Sequence, residues 1–190
     1  MQEGMLLKKK VSVAGSTFNP AMKSSAVALS NNNRTANLGN LGGCAFSTAS
    51  RSSGKWYFEA VITQSESSFT PLIGLVSQST TFNDPWTSAG ELLWYGSGSQ
   101  VIYGANSRFS YGSYATGDTV AFAVDLDARL IQFFRNNVAL AQLNMNTYLA
   151  GVTTFWAGAS SPHGSVGASI VTIPDTPQYF GSMPSGYGIW

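Results

Sequence analysis

Glu59, Asp125, Asp127 and the single histidine, His163, are the residues whose types and placement invite a catalytic reading. The three acids are candidates for general acid–base work, and retaining glycoside cleavage would need two such carboxyl groups about 5 Å apart across a cleft. Glu59 lies inside the largely apolar run Lys55–Thr63, and the two aspartates close another such run. An acid in a strand pairs more simply with a neighbouring arginine or backbone amide, and one at a strand end caps the turn that follows. Scaffold roles are therefore expected for all three, and no catalytic residue. His163 follows Pro162 in the loop Ser160–Gly164. A nucleophilic centre would need it beside a serine or Cys44 and an orienting acid, and no nucleophile-elbow pattern is present. Cys44 is the only cysteine, which excludes an intrachain disulfide and a zinc cluster. Asn83-Asp84 and Asp125-x-Asp127 offer oxygens to calcium, but no loop of the EF-hand type surrounds them. No metal site and no cofactor is expected.

The stretch from Phe82 to Tyr114 carries a different chemistry. Trp86, Trp94, Tyr95, Tyr103, Phe109, Tyr111 and Tyr114 sit among glycines and serines, the mixture found in recognition loops. Rigid rings give contact area at low entropic cost, small polar neighbours adapt their hydrogen bonds, and rings also stack on sugar faces. The competing reading is that alternating aromatics fill a core, which suits Tyr103, Phe109 and Tyr111 best. Trp86, in a proline-containing loop, is the ring most expected at the surface. The residues expected to touch a partner or a glycan are Asp84, Trp86, Trp94, Tyr95, Tyr114 and His163. Loops at one end of the fold are expected to present Asp84, Trp86, Tyr114 and His163 together.

The elements that must position them read as strands throughout. In Gly117–Asn137, Val120, Phe122, Val124 and Leu126 share one face and Ala121, Ala123 and Asp125 the other. Asp127-Ala128-Arg129 is a short polar connection, Leu130–Arg135 a second strand, and Asn136-Asn137 a pair that tolerates the positive φ of a tight hairpin turn. In Lys55–Thr63, Trp56, Phe58, Ala60 and Ile62 alternate with Tyr57, Glu59 and Val61; apolar residues on both faces predict a central strand. Further strands are expected over Val11–Asn19, Val27–Leu29, Pro71–Val76, Glu91–Tyr95, Gln100–Tyr103, Arg108–Tyr114, Thr153–Ser160 and Gly164–Ile173. Thr35–Phe46 is glycine-rich and gives no clear pattern, and no helix is expected. Turn signals every ten residues or so are the rhythm of an all-β, antiparallel two-sheet β-sandwich. Residues 1–20 then form an arm and lead-in strand, 21–175 the sandwich, and 176–190 an irregular tail.

Composition narrows the setting. Charged residues make up 10% of the chain, well below the roughly 25% of ordinary soluble domains. Solubility must rest on Ser, Thr, Asn and Gly, which suits a protein held in an assembly or exposed to a harsh exterior. A net charge of +1 leaves no electrostatic footprint for nucleic acid. Lys8-Lys9-Lys10 reads as a solvated start before the first strand; an arm reaching an acidic partner or membrane is the other reading. Met5-Leu6-Leu7 is too short for the apolar core of a signal peptide, and no run approaches the roughly 20 apolar residues of a membrane span.

Taken in order, Gly54–Glu59, Ile73-Gly74-Leu75, Tyr103 with its following glycine, Gly117–Val120, Val124–Ala128 and Phe133–Asn137 resemble the core of a SPRY (B30.2) domain. The likeness spans Ser53 to Ile173. It implies a concanavalin-like jelly-roll sandwich whose loops recognise a partner, and no catalysis. The lead-in Phe18-Asn19-Pro20, Lys23-Ser24 and Leu29-Ser30-Asn31 resembles stand-alone SPRY-like proteins encoded by bacteriophages. On that likeness the chain is expected to be a virion protein for receptor recognition, fibre attachment or particle decoration. It would be made in the host cytoplasm and be homo-oligomeric or part of a larger assembly. Its partners would be other virion proteins and a bacterial surface glycan or protein receptor. The alternatives are a cytosolic peptide-binding adaptor and a glycan-cleaving enzyme on a lectin-like sandwich.

Overall fold

The computed structural model describes residues 15–39, 42–65, 69–81, 88–104, 107–162, 169–179 and 185–190. The strands in chain order are β1 (Phe18–Lys23), β2 (Ala28–Ser30), β3 (Thr35–Asn37), β4 (Cys44–Arg51), β5 (Lys55–Gln64), β6 (Leu72–Val76), β7 (Leu92–Tyr95) and β8 (Gln100–Tyr103). They continue with β9 (Ser107–Ser110), β10 (Thr119–Asp125), β11 (Leu130–Arg135), β12 (Val138–Asn144), the one-turn helix α1 (Met145–Tyr148), β13 (Phe155–Ser160), β14 (Ile170–Thr172) and β15 (Gly188–Ile189). One sheet runs β1-β4-β13-β6-β7-β8-β9 and the other β12-β11-β10-β5-β14-β3-β2, with β15 added parallel to β5. All other pairings are antiparallel. The expected sandwich is the observed fold.

Its register is set where β5 meets β10, from Thr119 opposite Val61 to Asp125 opposite Lys55. Phe58, Ala60 and Ile62 then point inward with Val120, Phe122 and Val124, as their alternation predicts. Phe58 stacks on Phe122 at 5.3 Å, and Phe122 meets Phe133 edge-on at 6.0 Å. The opposing sheet contributes Ile73, Leu75, Leu92, Trp94, Phe155 and Ala157. Both outer faces carry apolar clusters too, one around Leu72, Leu93 and Ile102, the other around Tyr57, Ala121 and Phe134. That second layer of burial explains why the central strands read as nearly continuous hydrophobic runs.

The Tyr57 cluster is covered by the chain's last residues. Glu59, 2% exposed, accepts hydrogen bonds from Tyr57 Oη (2.9 Å), Gln178 N (2.6 Å) and Tyr179 N (3.0 Å). The backbone N–H of Trp190 donates to Tyr57 O, and its indole enters the core, donating to Ser47 Oγ and Ala49 O. The tail expected to be irregular over 176–190 therefore ends as a strand and a buried ring, because β5 has an unpaired edge beyond β14 that Gly188–Ile189 can join.

Other departures have equally local causes. The lead-in strand lies at Phe18–Lys23 and includes Pro20, tolerated because β1 is a sheet edge; residues 11–14 of its expected range lie outside the described residues. Thr35–Phe46 resolves into β3 and the start of β4, and the strand expected over Arg108–Tyr114 is shorter, ending at Ser110. β12 (Val138–Asn144) shows little alternation in its sequence because it is an edge with Ala139, Ala141 and Gln142 in solvent. The turn leading into it matches expectation, with Asn136 and Asn137 at φ +48° and +67°. The other edges are β2, only three residues long, and β9, which carries Arg108. On β12, a bulge and the Tyr111 hydroxyl bonded to Ala141 O interrupt the free edge.

Replacing Glu59 by alanine should leave two backbone amides and a phenol without their acceptor and destabilise the fold by about 2–4 kcal/mol. Urea unfolding measures the loss. Hydrogen exchange should show amides 178–179 and 188–190 deprotected before the rest of the sheet.

Candidate binding site

The three acids weighed for catalysis are all committed to scaffold. Besides Glu59, Asp125 accepts from Ala128 N at 2.9 Å and pairs with Lys55 at 3.1 Å, while Asp127 accepts from Gly54 N at 3.0 Å. The Ala128 hydrogen bond, with Lys55 adding to it, holds the Asp125 carboxyl below the usual carboxylate range against the opposing effect of burial. Together these bonds tie the β10–β11 turn to the β4–β5 turn at one end of the sandwich. Among the described residues no three His, Cys, Asp or Glu side chains cluster.

Of the residues expected to contact a partner, Trp94 and Tyr114 are core residues, 0% and 3% exposed. Trp94 donates to Gly112 O at 2.5 Å and packs edge-on against Tyr111 and Tyr114. The Tyr114 hydroxyl donates to Trp94 O at 2.8 Å and to Pro71 O, and burial pushes its pKa up, so it stays a donor. Tyr95 is 8% exposed, in the outer cluster with Leu72. The expectation that these rings present themselves to a ligand is corrected: inward alternation on β7 and bonding of their polar tips place Trp94 and Tyr114 inside. Asp84, Trp86 and His163 lie outside the described residues. Because β6 and β13 are antiparallel, with Leu72 opposite Ser160 and Val76 opposite Trp156, the connection after Val76 leaves at one end and that after Ser160 at the other.

What does assemble is a surface at the end where β10 begins. Its organiser is Asp118, 8% exposed. One carboxylate oxygen accepts from Asn136 Nδ2 at 2.7 Å; the other accepts from Ala115 N at 2.8 Å and meets Arg135 Nε at 2.9 Å. Arg135 Nη1 also donates to Ser113 O at 3.1 Å. The loop before β10 and the Asn136-Asn137 turn are thereby locked side by side. Two open depressions flank the lock and share Ser113. One, about 350 Å³, is lined by Gly112, Arg135, Asn136, Val138 and Leu140. The other, about 380 Å³, has Tyr114 in its lining and hydroxyls from Ser65, Thr70, Ser97 and Thr116 around it. Those hydroxyls are ordered in pairs: Ser65 Oγ lies 2.6 Å from Thr116 Oγ1, and Thr70 and Ser97 exchange backbone-to-hydroxyl bonds of 3.0 and 2.8 Å. Val138 is 65% exposed, the exposed large hydrophobic among the described residues. A smaller depression of about 220 Å³ between Ser77–Ser79 and Gly151–Thr154 lies at the opposite end.

This arrangement of sheets has known counterparts. The chain matches the SPRY domain of human HERC1 with a TM-score of 0.71 and 15% identity, covering 83% of this chain and 97% of that one. The fold is that of a SPRY domain. Further likenesses are to a human SPRY domain (TM-score 0.58, 17% identity, 78% of this chain and 94% of that) and the TRIM65 PSpry domain (0.60, 11%, 84% and 92%). Stonustoxin matches at 0.62 and 13%, over 84% of this chain and 27% of its own. No protein-family model matches the sequence, and no curated protein matches it at a significant level. The residues that carried the SPRY resemblance have structural work within this fold. At Gly74 a Cβ would lie 2.2 Å from Leu92 O, so only glycine lets β6 and β7 pair, and Asp118 of Gly117–Val120 is the lock just described.

Ser65, Thr70, Ser97, Ser113, Thr116, Arg135, Val138 and Leu140 were missed in sequence because none is unusual alone. The available signal was that Gly96–Ser99 and Gly112–Gly117 are both glycine- and hydroxyl-rich turns, on either side of the same strands.

Asp118→Ala should free Arg135, Asn136 and the Ala115 amide together, costing about 2–3 kcal/mol. Thermal melting should fall by about 4–10 °C, with NMR shift changes centred on residues 112–119 and 134–138. Asp125 predicts a pH effect. Its folded-state pKa is depressed, so its contribution is present above the unfolded value of about 3.9 and is lost as pH falls through the lower folded value. Asp125→Asn should therefore be less stable than the parent at pH 7, with the gap closing progressively below about pH 4 in denaturant titrations.

Proposed function

We propose that the chain is a non-enzymatic binding module that meets its partner through the Ser113 face. The observation that carries this is a pair of open, adjoining depressions held by a buried carboxylate lock, while the acids weighed for chemistry are occupied in scaffold bonds. Ordered hydroxyls and an exposed aliphatic edge fit recognition of a surface, and a rigid two-sheet support keeps the ordering cost of binding low.

In its finer form the proposal places the protein in a bacteriophage particle, as a receptor-binding, fibre-associated or decoration module whose partners are other virion proteins or a bacterial surface glycan or protein. The low charge content and the phage-like lead-in residues support that setting. Shallow contacts of this kind gain useful strength when repeated on an oligomer or particle. The expected result is recovery of the chain in purified particles in multiple copies by quantitative mass spectrometry, with binding of the purified protein to host envelopes or particle proteins reduced by substitution on the Ser113 face. A monomer absent from particles, with binding unaffected by such substitutions, would overturn it.

A further inference from the structure

Resting on the binding-module reading, we infer that the joined depressions around Ser113 take an extended acidic peptide, one aliphatic side chain of which seats on Val138 and Leu140. Three observations lead there. Of the residues lining the two depressions, only Arg135 is charged, and its side chain is 44% exposed. Asp118 and Ser113 O take Nε and Nη1 and fix the plane of the guanidinium. Asp118, which balances that charge, is itself nearly buried, so the group the pair turns to solvent is the guanidinium, pre-oriented for a carboxylate.

Next to that cation the wall is aliphatic. Val138 and Leu140 stand beside Gly112, where a Cβ would already lie 3.3 Å from Leu140, so the groove floor is kept open by glycine. The hydroxyl-lined depression continues past Ser113 with no formal charge and with its serines and threonines paired, which suits backbone amides passing over it. Joined at Ser113, the two depressions call for a chain several residues long: aliphatic at one end, anionic beside it, and plain backbone beyond.

The test uses arrays of synthetic hexapeptides with one leucine and aspartate, asparagine or lysine at neighbouring positions, read by fluorescence polarisation, beside a glycan array. Leucine–aspartate peptides should bind best, with affinity falling as salt rises. Arg135→Gln should bring the aspartate-to-asparagine preference to about one. Val138→Ser should weaken leucine peptides about tenfold relative to alanine peptides, while Gln78→Ala at the opposite end changes neither ratio. Because both readouts are ratios within one variant, a modest loss of stability does not imitate them; melting curves confirm that each variant is folded. Peptide binding indifferent to Arg135 and Val138, or binding of glycans alone, overturns this inference and leaves the binding module standing. No binding to peptides, glycans, envelopes or particle proteins overturns both.

Discussion

The pairing of β5 with β10 governs everything else. Seven consecutive residue pairs fix which side chains face inward, and in a strand that choice is all or nothing, since a slip of one residue exchanges the faces. Here both faces are committed: Phe58 and Phe122 are needed between the sheets, and Tyr57, Ala121 and Ala123 outside them. A slip of β10 alone would turn Asp125 toward the core and Phe122 away from it. Tolerance for error at this ladder is therefore low, and the loops inherit their positions from it.

β10 has a carboxylate at either end, and each does the same mechanical job. Asp118, just before the strand, joins the preceding loop to the β11–β12 turn; Asp125, its last residue, joins the following turn to Lys55. In the described ion pairs one partner is always nearly buried, with Arg34, Asp125 and Asp118 each 11–12% exposed. A chain with few charges has placed several of them as ties between loops, where a shielded carboxylate holds two or three donors at once. The binding surface follows as a by-product, because the tie at Asp118 leaves Arg135 rigid and facing outward.

Alternation made the sheets legible. Lys55–Thr63, Val120–Asp125 and Leu130–Arg135 announced themselves because buried faces impose a strict period of two, and Asn136-Asn137 because few residues accept positive φ in succession. β12 and β15 were not legible: an edge strand in solvent has little pattern to show, and Gly188–Ile189 form a strand only because β5 offers them an edge. The aromatics misled for a related reason. Among glycines and serines, Trp94 and Tyr114 look like loop residues, yet their polar tips find backbone carbonyls inside, which no local pattern reveals. The depressions were invisible in sequence because they join four turns that are neighbours only in space.

β5 also lies at the crossing of distant parts of the chain. Its partners β10, β14 and β15 begin at residues 119, 170 and 188, and β3, at Thr35–Asn37, pairs with that same distant β14. Closing loops of this length precedes the contacts that reward it, so folding must be slow beside that of a protein built from neighbouring hairpins. On the ribosome, β5 emerges with both faces apolar and waits for more than half the chain before its edges are satisfied. Through that interval it is an unpaired, hydrophobic strand in a crowded cell, and the chance of a wrong partner is set by the speed of synthesis as much as by the stability of the finished fold.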